Sequence, residues 1–160
     1  MKRRHFNGLL LAMPATSVLA SVSNSGQEVN PYTQINPPIQ ADAHTVRAFF
    51  MYSCPYCRMA HNALARWGSS LPAKVEYRET PVVGVGKNSM GGALGFYAMK
   101  SIAPQGMPAF HDYVYRQIQD KGRVPSDHMV YAEAAKAAGV SMDLFAKAWR
   151  SDAVAALVRG

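Results

Sequence analysis

Only two cysteines occur in 160 residues, and they stand together as Cys54-Pro55-Tyr56-Cys57. No second CxxC and no HxxxH accompanies them, so a complete zinc ligand set is missing. Cys54, Cys57 and His61 would supply three ligands at most, and no metal is expected. Arg58 stands where c-type haem attachment needs histidine, which excludes that cofactor. The apolar stretch at residues 8–20 is too short to span a bilayer, so membrane association is peripheral at most. Gly84-Val85-Gly86-Lys87 fails as a phosphate-binding loop. Walker A needs glycine at Pro81 and Ser or Thr at Asn88, and the dinucleotide fingerprint needs glycine at Ser89. No repeat or long low-complexity tract is present. The basic residues form no run and are not interleaved with aromatics, which excludes nucleic-acid binding.

What remains is the cysteine pair and its setting. Side chains at i and i+3 of a helix share a face, with Cβ atoms about 5–6 Å apart. A disulfide can close there with little backbone movement. The first cysteine falls at a helix start, where unpaired N–H groups and the dipole stabilise an anion and lower a thiol pKa. The thiolate is the species that attacks disulfides. Stabilising it also favours the reduced pair, which makes the pair a better oxidant.

The ends and the charge add a location. Lys2, Arg3 and Arg4 precede the apolar stretch, and Val18 and Ala20 are small residues before a cut site. Residues 1–20 therefore read as a signal peptide for the general or, through Arg3-Arg4-His5-Phe6, the twin-arginine route. No cysteine near the cut offers a lipid anchor. Removing this segment lowers the net charge from +7 to +4, so much of the basicity is an address. An exported chain of about 140 residues fits one domain in an oxidising compartment.

Along that chain, residues 21–43 form a polar lead-in with an edge strand expected around Ile35. Residues 45–52 read as a strand buried on both faces. Residues 55–67 have helical spacing, with Met59, Ala63, Leu64 and Trp67 on the apolar side and His61 on the polar side. Residues 74–83 alternate Val75, Tyr77 and Glu79 against Glu76, Arg78 and Thr80, a second strand. Such a β-α-β crossover is right-handed and parallel. Four helices follow. One runs to Ile102 from a cap at Asn88 or Ser89, with Met90, Leu94, Tyr97 and Ile102 as its apolar edge. Pro108 opens the second, residues 126–138 form the third, and Ser141 caps a single last helix carrying Leu144 through Leu157. The methionines read as core. His44, His111 and His128 are isolated and expected at the surface or at helix ends.

These residues together resemble the DsbA family of thiol–disulfide oxidoreductases. The resemblance rests on Val46-Arg47-Ala48-Phe49-Phe50-Met51-Tyr52-Ser53-Cys54-Pro55-Tyr56-Cys57, and on Ala138-Gly139-Val140-Ser141 with Ala148-Trp149 in the later helices. It implies an α/β, thioredoxin-like β-α-β core over residues 44–84 and a large helical insert over residues 85–160. The family's C-terminal strands, including its cis-proline strand, would be missing from this sequence. It further implies a periplasmic enzyme that donates its disulfide to unfolded or folding exported proteins. A membrane quinone-linked partner of the DsbB type would reoxidise it. Carried over by position, Cys54 is the attacking sulfur, Cys57 the buried one, and Pro55 and Tyr56 tune the potential. Two departures stand out. Tyr56 replaces the family's well-known histidine, and Ala48 occupies the strand position where the family often has a buried carboxylate. Rival readings are a reductase dedicated to one client, or a redox-inert binding subunit.

Overall fold

The computed structural model describes residues 31–84 and 87–159. The expected signal peptide, residues 1–20, lies outside them. The chain divides into two units, Met1–Pro38 and Ile39–Gly160. In the first, residues 31–38 are exposed and contain no strand, so the edge strand expected at Ile35 is not formed. Pro37 and Pro38 follow after Asn36, and neither has an N–H to give a ladder. The one cis peptide among the described residues, Asn36–Pro37, also lies here.

The second unit begins with β1 (Thr45–Phe50), α1 (Pro55–Gly68) and β2 (Glu76–Pro81). The two strands pair in parallel, with Val46 beside Tyr77, Ala48 beside Glu79 and Phe50 beside Pro81. Parallel pairing through a helix is what the β-α-β reading requires. Both-face burial of β1 is not observed. Phe50 is buried, but Phe49 is 65% exposed, because among the described residues no element covers its face. The inward face of β1 leads instead into the helical layer, where Phe50 and Tyr52 meet Phe96, Phe110 and Tyr115 edge to face. Each such aromatic pair contributes about 0.5–1.5 kcal/mol beyond area burial.

The orientation of α1 also reverses the expectation. Met59 is 77% exposed, and Ala63, Leu64 and Trp67 are exposed as well. The helix packs instead through Cys57, His61 and Gly68, which lie four and seven residues apart and so share one face of the helix. Gly68 fixes this choice. A Cβ there would sit 2.4 Å from the Tyr77 ring, so the helix approaches β2 at the one residue that has none. His61, four residues on from Cys57, is thereby turned toward Glu79.

Six helices are present among the described residues. After α1 come α2 (Lys87–Ile102), α3 (Met107–Tyr115), α4 (His128–Ala137), α5 (Met142–Trp149) and α6 (Asp152–Arg159). The expected apolar edge of α2 was too narrow. Ala93, Phe96, Ala98 and Met99 are buried and Met90 is exposed, because α4, α5 and α6 pack around this helix. Pro108 stands in the first turn of α3, as expected. Asp127 caps α4, accepting from the Met129 N–H at 3.0 Å, so the helix starts two residues later than the expected 126. Ser141 caps α5 as read, but the expected single last helix is broken. Ser151 accepts the Val154 N–H at 3.2 Å and starts α6, which turns Val154 into the core. Met99 and Met107 are core methionines, whereas Met51, Met59, Met90 and Met129 are exposed.

Where α2 crosses α4, Gly95 lies beneath Tyr131. A Cβ there would meet the buried ring at 2.5 and 2.8 Å, and the phenol is held by its hydrogen bond to the Pro125 carbonyl at 2.7 Å. Alanine would gain about 1 kcal/mol of helix propensity but overpack the core at a cost of about 1–3 kcal/mol. Gly95→Ala should therefore lower unfolding free energy in urea. A stabilised variant would show that the Tyr131 ring can swing aside.

Candidate active site

The cysteine motif lies at the exit of β1. Tyr52, buried at the end of the strand, anchors the turn, and Cys54 takes extended backbone as the N-cap of α1, with Pro55 at the first helical position. Proline there loses nothing, since that N–H has no helical partner. The Cys54 Sγ takes the role a serine oxygen usually has, accepting the Cys57 N–H at 3.3 Å. The two cysteines are free thiols in this structure, both partly exposed.

Their acidities diverge. Hydrogen bonds from the Cys57 thiol and backbone N–H hold the Cys54 thiol below the ordinary thiol range. Burial, followed by the thiol's own hydrogen bond to Cys54, pushes Cys57 above it. Tyr56 is 77% exposed. Pro55, also exposed, works through the backbone by starting the helix.

Two residues that sequence reasoning did not single out hold this turn. The helix α3 widens into a single π-helical turn, Arg116–Asp120. From it the Gln119 amide donates to the carbonyls of Tyr52 and Cys54, at 2.8 and 3.0 Å. The next residue, Asp120, takes both arms of the Arg58 guanidinium, at 2.6 and 3.0 Å. Wide turns of this kind recur at functional sites.

Beneath α1 lies a second polar group. Glu79 extends from β2 beside Ala48, which places a half-buried carboxylate next to the strand position that lacks one. One Glu79 oxygen lies 3.2 Å from His61 Nδ1 and the other 3.7 Å from His111 Nε2. Burial pushes the Glu79 carboxyl up, but the nearby His111 and His61 imidazoles outweigh it and hold the group at about 2. His111 is not at the surface as expected. It is 2% exposed, and burial pushes its imidazole down. Its Nδ1 meets the Tyr52 hydroxyl at 3.1 Å. The Tyr115 phenol lies between this group and the cysteines. Burial raises it first, then the nearby Cys57 and Glu79. His44 and His128 are exposed, as expected.

Signals for this group were present in the sequence. Glu79 shares the strand face of Val75 and Tyr77, an acid among apolar residues. His111 continues through Val114, Tyr115 and Ile118 at helical spacing, a histidine in a core stripe.

A strand feeding a CxxC helix, a parallel second strand and a helical layer define a thioredoxin-like fold with a large helical insert. Comparison with known proteins narrows this to a DsbA-like fold. DsbA1 of Neisseria meningitidis superposes with a TM-score of 0.66 over 78% of this chain and 65% of that chain, at 19% identity. DsbA of Pseudomonas aeruginosa gives 0.63 over 72% and 58%, at 22% identity. DsbL of Salmonella enterica serovar Typhimurium gives 0.59 over 80% and 75%, at 20% identity. In sequence, the thiol:disulfide interchange protein DsbA of Bordetella parapertussis is 29% identical over 86 residues, or 51% of this chain. The match spans only 41% of that relative's length. No protein-family model matches the chain.

If Cys54 is the more acidic thiol, iodoacetamide at pH 6–7 should label it well ahead of Cys57. Its labelling rate should titrate below the free-thiol value of about 8.5. Mass spectrometry of the labelled peptides assigns the sites. Equal labelling of both cysteines at low pH would reverse the assignment.

Proposed function

We propose that this chain is an exported protein thiol–disulfide oxidoreductase that donates its Cys54–Cys57 disulfide to proteins folding in the periplasm. The observation that carries the reading is the helix cap at Cys54. It stabilises a thiolate on one sulfur while burial keeps a proton on the other. The DsbA-like fold and the similarity to curated thiol:disulfide interchange proteins support it.

In the proposed cycle, a substrate thiolate attacks Cys54 Sγ of the oxidised pair. A substrate–Cys54 disulfide forms as the Cys54–Cys57 bond breaks, and Cys57 leaves with the electron pair and takes up a proton. A second substrate thiolate then attacks the substrate sulfur of that mixed disulfide. Cys54 leaves as a thiolate held by the Cys57 N–H and S–H. The substrate has lost two electrons and the cysteine pair has gained them. Reoxidation falls to a membrane quinone-linked protein of the DsbB type. In the reverse direction Cys57 resolves the mixed disulfide, so the same geometry would serve a reductase, and the couple's potential decides between the two.

Cys57→Ala should accumulate mixed disulfides with envelope proteins, whereas Cys54→Ala should give almost none. Non-reducing gels of the two variants read this directly. Abundant adducts on Cys54→Ala would sink the assignment of roles.

Because Tyr56 is exposed and neutral, Tyr56→His should make the couple more oxidising through a cationic neighbour beside the thiolate. A stabilisation of about 1.4 kcal/mol corresponds to about 30 mV for two electrons. Equilibration against glutathione gives the sign. A shift to more negative potential would mean that Tyr56 acts through its shape.

A further inference from the structure

We infer that His61, Glu79 and His111 form a binding site for one divalent transition-metal ion, of which zinc is the simplest representative, beneath the cysteine helix. One ligand atom from each of the three residues lies within 4.8 Å of the others. The closest approaches, 3.2 Å from His61 Nδ1 to one Glu79 oxygen and 3.7 Å from His111 Nε2 to the other, lie near the spacing an ion imposes. Zinc bonds of about 2.0–2.1 Å in tetrahedral geometry set ligand atoms about 3.3 Å apart. The two imidazole rings meet at an angle of 47°, with centroids 4.2 Å apart.

A second observation points the same way. His111 Nε2 is buried, directed at Glu79, and has no hydrogen-bond partner among the described residues. A buried polar atom without a partner costs about 1–3 kcal/mol, so such atoms are rare in a native fold. A metal ion would satisfy this one. The other ring nitrogen is already fixed. Tyr52 Oη can accept from Nδ1–H, which leaves the Nε2 lone pair facing the site, and ligand histidines are oriented in this way.

The charges and the access also fit. The ion-pair partners of Glu79 among the described residues are the two imidazoles. With neutral rings the group carries one half-buried negative charge, which a metal ion would balance. A cleft of about 140 Å³ reaches His61 and Tyr115 from the surface, flanked by Arg58, Asn62 and Asp112. That space accommodates several waters at about 30 Å³ each, so an ion could keep open positions on that side. Two histidines with one carboxylate is a donor set used by zinc and by non-haem iron.

This site goes beyond the proposed exchange chemistry and does not depend on it. The test therefore uses the full chain with Cys54 and Cys57 joined as a disulfide, so that no thiolate competes for metal. Calorimetric titration with Zn²⁺ at pH 7.5 should give one ion per chain. His61→Gln and Glu79→Gln should each weaken binding by at least about 100-fold. Tyr52→Phe, which removes only the orienting partner, should weaken it by about 10–100-fold. His44→Gln and His128→Gln should leave affinity unchanged. Should a variant fail to fold, histidine-ring NMR of the unaltered protein still decides, since Zn²⁺ must shift His61 and His111 and spare His44 and His128. Absence of stoichiometric binding, equal affinity in His61→Gln and Glu79→Gln, or shifts confined to His44 and His128 would overturn the site.

Discussion

The cysteine end of the molecule depends on one turn. Between Phe50 and Pro55 the chain must leave a parallel sheet, bury Tyr52 and enter a helix, and its carbonyls and sulfur must find partners within a few residues. The Cys57 N–H is given to Cys54 Sγ, and the carbonyls of Tyr52 and Cys54 are given to Gln119. A sulfur that caps a helix is a weaker acceptor than a serine oxygen, so this cap favours the charged thiolate over the neutral thiol. Capping and activation are one contact.

The remainder of the fold holds that contact in place. β2 brings Glu79 under the helix, and α2, α4, α5 and α6 pack together so that α3 can present its last turn to the cysteine loop. Gly68 and Gly95 mark the two closest approaches, α1 on β2 and α2 on Tyr131. At both positions the missing side chain sets the distance between elements and so which faces meet. Because α1 docks through Gly68, His61 rather than Met59 faces inward. The polar group below the cysteines therefore follows from packing at the far end of the same helix.

The order of elements was legible in the sequence because each was marked locally: β-branched and aromatic residues in β1, Pro55 and Pro108 in opening turns, Gly139 at φ +86° after α4, and Ser141 as a cap. The placement of the CxxC motif at the start of α1 was legible for the same reason. Facing was not. Hydrophobic spacing assigned the apolar stripe of α1 to the core, yet the helix packs through Cys57, His61 and Gly68. A stripe also could not describe α2, which is covered on several sides. The histidine–glutamate group was missed because its members come from three elements, and no spacing along the chain links residues 61, 79 and 111. The break at Ser151 was overlooked because serine inside an apolar pattern is as compatible with helix as with a cap.

The π-helical turn Arg116–Asp120 opens the pitch of the last residues after α3. An α-helix advances about 100° per residue, and a wider turn advances less. At regular pitch over the same residues, Gln119 and Asp120 would be rotated away from the cysteine loop and Arg58. Both contacts would vanish together, while composition, length and hydrophobic pattern stayed the same. The pitch of one turn thus separates a cysteine loop that is braced from one that is not.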